Sequence, residues 1–125
     1  MRPFRLERLS LLRYIANMRW IVETLDDTVD AEIEELPAGL QARLIRLMEM
    51  VENVGLEQLH EPHVKHLEGK LWELRAKAME GIARGFYVTV AGRRVVILHV
   101  FVKKTQKTPK SALNLARQRM KQVKP

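Results

Sequence analysis

Arg75, Arg84, Tyr87, His99, Lys103, Lys104 and Lys107 are the side chains of this 125-residue chain best suited to chemistry on a phosphodiester. A guanidinium grips two phosphate oxygens at once and stays charged at every physiological pH. Histidine moves protons near neutrality, and tyrosine and histidine rings stack on bases. Closely spaced ammonium groups disfavour one another's charge, which lowers a lysine pKa and suits it to proton transfer. The segment Lys103-Lys104-Thr105-Gln106-Lys107-Thr108-Pro109 is the most unusual in the chain. It lies between a strongly apolar run and a helix start, whose backbone N–H groups add to an anion site. Lys65 and Lys70 extend the basic set towards a longer polyanion. Taken singly, Tyr87 and His99 are more often core side chains with one hydrogen bond each. A lysine-rich string taken singly is more often a solvated loop.

The distribution of charge favours the phosphodiester. The net charge is +7, but it is segregated: +3 over residues 1–18, −8 over residues 19–64 and +12 over residues 65–125. A basic half of this kind is the footprint of a nucleic acid or, less often, of an acidic protein partner. Several chemistries are excluded. There is no Cys, so neither a disulfide nor a thiolate metal site can form. No phosphate-binding glycine loop, HExxH or GxSxG string occurs. The carboxylates concentrate away from the basic half, which argues against a two-metal nuclease. His60, His63 and His66 recur every three residues, but Pro62 interrupts them, and they read as surface histidines on a loop. No cofactor or metal is expected. Metal-free attack by a ribose 2′-hydroxyl on the adjacent phosphorus, with cations stabilising the transition state, is the chemistry these residues suit. No apolar run approaches the ~20 residues needed to span a bilayer, and a cytoplasmic protein is expected.

These side chains need a scaffold, and the periodicities supply one. Arg19–Thr24 is aromatic and β-branched, as a strand is. Asp26, Asp27 and Thr28 offer N-caps to a helix carrying Val29, Ile33 and Leu36. Pro37 opens a second helix with Leu40, Leu44, Leu47, Met48 and Val51 on one stripe, and Gly55 closes it. Asp30, Glu32, Glu34 and Glu35 fall on the outward face of this hairpin. Residues 55–66 form a polar connection. Leu71–Arg75 alternates as a half-buried strand does, Ile82–Val90 follows, and Ala91-Gly92-Arg93 makes a tight turn. Val95–Val102 is apolar enough for a central strand. Thr108 and Pro109 suit the N-cap and first position of a last helix with Leu113, Ala116, Met120 and Val123 on one face. The order β-α-α-β-β-β-α predicts an α+β domain over residues 18–125: an antiparallel-rich sheet, an N-terminal helical hairpin on one face, and a C-terminal helix near the sheet edge or across the open face. Residues 1–17 lie outside this pattern and read as an extension, either a short helix or a stretch before a true start at Met18.

The strings Leu71-Trp72-Glu73-Leu74-Arg75, Arg84 before Phe86-Tyr87, and Leu98-His99-Val100-Phe101-Val102-Lys103-Lys104-Thr105-Gln106-Lys107-Thr108-Pro109, followed by Ala116 and Arg119, are specific in combination. Over about residues 18–122 they resemble the phage-derived, HigB-like branch of the RelE/ParE toxin superfamily. The resemblance implies a microbial RNase-like (RelE-like) fold and the toxin role in a type II toxin–antitoxin system. It also implies mRNA cleavage in the ribosomal A site and a helix-turn-helix antitoxin partner. It places Arg75 and Arg84 on the scissile phosphate, with Lys103, His99 and Tyr87 as further catalytic candidates. Lys65, Lys70, Lys104 and Lys107 become RNA-binding candidates. A ParE-like gyrase poison shares the fold, and a basic binding module without activity is a third alternative.

Overall fold

The computed structural model describes residues 19–103 and 107–125. The elements are β1 (Ile21–Thr24), α1 (Asp27–Glu34), α2 (Ala38–Val54), a short 3₁₀ turn (Leu56–Gln58), β2 (Val64–Glu68), β3 (Leu71–Ala78), β4 (Gly81–Val90), β5 (Arg94–Lys103) and α3 (Lys110–Met120). The α+β class expected from the periodicity is present, with one more strand than expected. The polar connection assigned to residues 55–66 gives way at Val64 to β2, which pairs antiparallel with β3. Its alternation is hidden because Lys65, His66 and Glu68 stand where a longer strand would carry apolar residues.

The five strands run in the order β1-β5-β4-β3-β2. Four form an antiparallel meander, and β1 joins the edge of β5 in parallel, with Ile21 opposite Arg94 and Thr24 opposite Ile97. The bidentate pair Arg94–Glu23, at 2.7 and 2.9 Å, fastens that junction. β4 is the central strand; β5, expected to be central, lies one place nearer the edge but is buried on both faces over Val95–Leu98.

Burial divides the sheet into two faces. On one, α1 and α2 pack Val29, Ile33, Leu40, Leu44, Leu47 and Val51 against Leu74, Ala76, Ala83, Val95, Ile97 and Val100. On the other, α3 sets Ala112 and Ala116 against Leu71, Phe86, Val88, Val96 and Leu98. Two alanines at (i, i+4) let this helix approach the sheet closely. The last helix therefore crosses the open face, one of the two placements expected. It covers only the end of that face near Leu71 and Val96, and the other end is left to polar side chains.

The caps differ in part from the sequence reading. Asp26 caps α1 and accepts from the Val29 amide at 3.1 Å. Asp26→Ala is expected to lower the unfolding free energy by about 1 kcal/mol, measurable by urea denaturation; an unchanged midpoint would refute it. Thr108 does not cap α3, whose N-cap position is Pro109. Its hydroxyl is turned instead towards the sheet, where it accepts from Arg84. Between β4 and β5, Gly92 and Arg93 both have positive φ, 84° and 58°, as a tight hairpin requires.

Candidate nucleic-acid interface

Directly paired residues of antiparallel strands point to the same face. The registers therefore lay out a grid on the face that α3 leaves uncovered. One row is Lys65, Glu73, Phe86 and His99. The next is Arg75, Arg84 and Phe101, and the last is Lys77, Ile82 and Lys103. Successive rows lie ~7 Å apart along the strands, and strands are ~4.8 Å apart. The two arginines singled out in the sequence are thus direct cross-strand neighbours.

A break in the β-sheet makes the His99 position possible. Phe86 opposes His99 but Tyr87 opposes Ile97, so β5 carries one extra residue at Leu98. Val95 and Ile97 face α2, and so do Val100 and Val102. The parity of β5 therefore switches at the bulge. Without it, His99 would follow Ile97 into the core beneath α2; with it, His99 stands beside Phe101 and Arg84. Bulges re-aim side chains in this way. The imidazole stacks on Phe101, with centroids 5.1 Å apart and planes 21° apart.

Arg84, which the resemblance places on the scissile phosphate, is closed off from solvent. It is 2% exposed and forms an ion pair with Glu73, itself fully buried, at 3.1 Å. Arg75, on the adjoining strand, keeps 26% of its side chain exposed and reaches the same carboxylate at 3.6 Å. Neither contact satisfies Glu73 with an aligned hydrogen bond. Burial pushes the Glu73 carboxyl above its usual range, against the opposing pull of Arg84, Arg75 and Lys65. Burial likewise draws Arg84 below the ordinary guanidinium value, with Glu73 acting the other way. Two arginines thus share one buried anion, and only Arg75 has a free flank. That flank adjoins a hollow of about 240 Å³ lined, among the described residues, by Arg43, Pro62, His63, Arg75, Lys77 and Ile82, none of them acidic.

Of the residues singled out in the sequence, Arg75, Arg84, His99, Lys103 and Lys65 come together on this face. Tyr87 does not. It packs in the core on the α2 side, 1% exposed, its hydroxyl buried without a partner and its pKa pushed up by burial. Together with Trp20, Leu59 and Trp72 it lines a separate hollow of about 570 Å³ on that side. Tyr87 is three residues from Arg84, and an odd spacing in a strand puts the two on opposite faces. Lys70 lies in the β2–β3 turn, at the far end from Lys77. Lys107 is exposed just before α3. Lys104 falls outside the described residues, as does the extension expected over residues 1–17. His60 and His63 are exposed outside the strands, but His66 lies on β2, where its Nε2 pairs with the Gly69 carbonyl at 2.8 Å.

Sequence reasoning missed two carboxylates. Glu73 has the parity of Leu71 and Arg75 and so was legible as a partner on the arginine face. Glu32, assigned to the outward face of the hairpin, turns inward instead. It accepts from the Val100 amide at 2.9 Å, from His99 Nδ1 at 2.9 Å and from Arg119 Nη1 at 2.9 and 3.1 Å. Its spacing of three from Val29 and four to Leu36 put it on the flank of the buried stripe.

Comparison with known proteins fits this geometry. A model of the Gp49-like phage-derived protein family matches residues 31–121. No curated protein matches the chain. Among solved structures, the chain is similar to a doubly arginine-substituted mutant of the E. coli toxin RelE in the free state. The TM-score is 0.59 at 16% sequence identity, over 82% of this chain and 99% of that one. The α+β sheet described above is thus a RelE-like fold.

Proposed function

From the premise that this chain belongs to the Gp49-like family of phage-derived proteins, we propose that it is the toxin of a toxin–antitoxin pair and an endoribonuclease acting on mRNA in the ribosomal A site. The observation that carries this reading is the order of the rows. The arginine row lies between the row holding His99 and the row holding Lys103. A phosphate held by the arginine row lies between a row that offers a base and a row that offers an acid, the two groups that 2′-hydroxyl attack needs. In this mechanism His99 takes the proton of the 2′-hydroxyl, whose oxygen bonds to the adjacent phosphorus. The bond from phosphorus to the 5′-oxygen breaks, and that oxygen takes a proton from Lys103. The products are a 2′,3′-cyclic phosphate and a 5′-hydroxyl. Arg75 stabilises the charge that builds on the phosphoryl oxygens, and Arg84 adds its positive field from beneath, through the Glu73 carboxylate the two share. Lys65, Lys77 and Lys107 bind flanking phosphates, with Lys104 and Lys70 extending the path. The partner is a helix-turn-helix antitoxin, and the site of action is the cytoplasm. Among the described residues no helix is long and apolar enough to cross a membrane.

The test is induction in bacteria followed by mapping of mRNA 5′ ends. New ends within translated frames, absent when Lys103→Ala is induced, are expected. Growth arrest with intact mRNA and broken DNA would replace this reading with gyrase poisoning.

A further inference from the structure

We infer that Glu32 is a positioning residue for His99: it fixes the ring's tautomer for proton transfer, and Arg119 fixes Glu32 in turn. The inference rests on the ribonuclease reading for its kinetic consequence, but its geometry stands apart from it. α1 follows β1, which is too short to cover all of β5, so α1 crosses the uncovered edge of β5 beyond Ile97. There Glu32 reaches the strand. Two groups approach His99 Nδ1: the Glu32 carboxylate, which can only accept, at 2.9 Å, and the Arg119 guanidinium, which can only donate, at 3.5 Å; the much shorter carboxylate contact puts the proton on Nδ1. Nε2, on the far side of the ring, is then the lone-pair nitrogen in the neutral form. Among the described residues nothing is hydrogen-bonded to Nε2. That is the state a general base needs before it acts.

The carboxylate cannot swing away. The Val100 amide holds Oε1, and Arg119 Nη1 spans both oxygens while also donating to the Leu98 carbonyl at 2.8 Å. Phe101 fixes the ring plane by stacking, and Phe86 meets the imidazole edge-on at 6.4 Å. Carboxylate, imidazole and reacting hydroxyl would thus line up as in a hydrolase triad, where the acid holds the tautomer and steadies the imidazolium. Among the described residues, the charged groups in contact with His99 are Glu32 from α1 and Arg119 from α3, while Arg84 on β4, Glu73 on β3 and Lys103 on its own strand share its sheet face. Of these, Glu32 is the carboxylate in contact with the ring.

Two measurements on the full chain test this. In ¹⁵N-histidine NMR, neutral His99 is expected with Nδ1 protonated and Nε2 unprotonated. The opposite tautomer overturns the inference whether or not the protein cuts RNA. In cleavage of a short mRNA programmed on ribosomes, Glu32→Gln is expected to lower kcat about 100-fold with KM little changed. In a His99→Gln background, Glu32→Gln should add almost nothing. An equal loss in both backgrounds would mean that Glu32 merely seals the β5 edge, and the inference would fail. If Glu32→Gln does not fold, the tautomer measurement decides. A wild-type protein that leaves mRNA intact would remove the ribonuclease reading and leave the tautomer result standing as the test of this one.

Discussion

Arg75→Ala is expected to abolish toxicity, lowering kcat/KM for mRNA cleavage by about 10²–10³-fold, the usual cost of removing one donor to transition-state charge. The fold should survive. Arg75 is partly exposed, its contact with Glu73 is long at 3.6 Å, and Arg84 still neutralises that carboxylate at 3.1 Å. Unfolding free energy should fall by less than the ~3–5 kcal/mol that follows when a buried charge loses its partner outright. Urea titration and mapping of mRNA ends in the same variant separate the two effects. Full toxicity in a folded Arg75→Ala protein would take the phosphate off the arginine row.

Glu73→Ala should act in the opposite way, on stability before chemistry. It leaves Arg84 a buried cation, 2% exposed, with the Thr108 hydroxyl at 3.2 Å its one remaining hydrogen-bond acceptor among the described residues. Breaking a buried pair by removing one partner costs about 3–5 kcal/mol, which is much of the 5–15 kcal/mol that typically holds a domain together. Arg84→Ala strands the carboxylate and falls in the same range, so its loss of toxicity would not by itself assign a catalytic role. Replacing both, as Glu73→Leu with Arg84→Met, should recover most of the stability while leaving the protein inactive. If the double variant is no more stable than either single one, the pair is not the coupled unit described.

The sequence already contained the scaffold, and the reasons are local. The α2 stripe from Leu40 to Val51 and the alternation in Leu71–Arg75 are periodic over a full element, so each specifies its own type. β2 escaped because an edge strand needs few apolar residues. The faces of β3 and β4 were also legible, and parity alone separates Tyr87 from Arg84. The face of His99 was not, because a bulge inverts parity and leaves no mark in composition. Nor was the inward turn of Glu32. Its partners His99 and Arg119 lie 67 and 87 residues away, and nothing local records which of four hairpin acids will meet them.

Those separations bear on when the protein becomes competent. The junction of β1 with β5 joins Glu23 to Arg94, 71 residues apart, and Glu32 waits for an arginine on the last helix. Contacts so distant along the chain form late, after the closure entropy of long loops has been met. During synthesis the N-terminal hairpin emerges early and stays without its sheet until β5 has followed. Glu32 meets Arg119 last, when α3 docks. The basic face of the sheet is thus complete only once β5 and α3 have both followed the hairpin that precedes them.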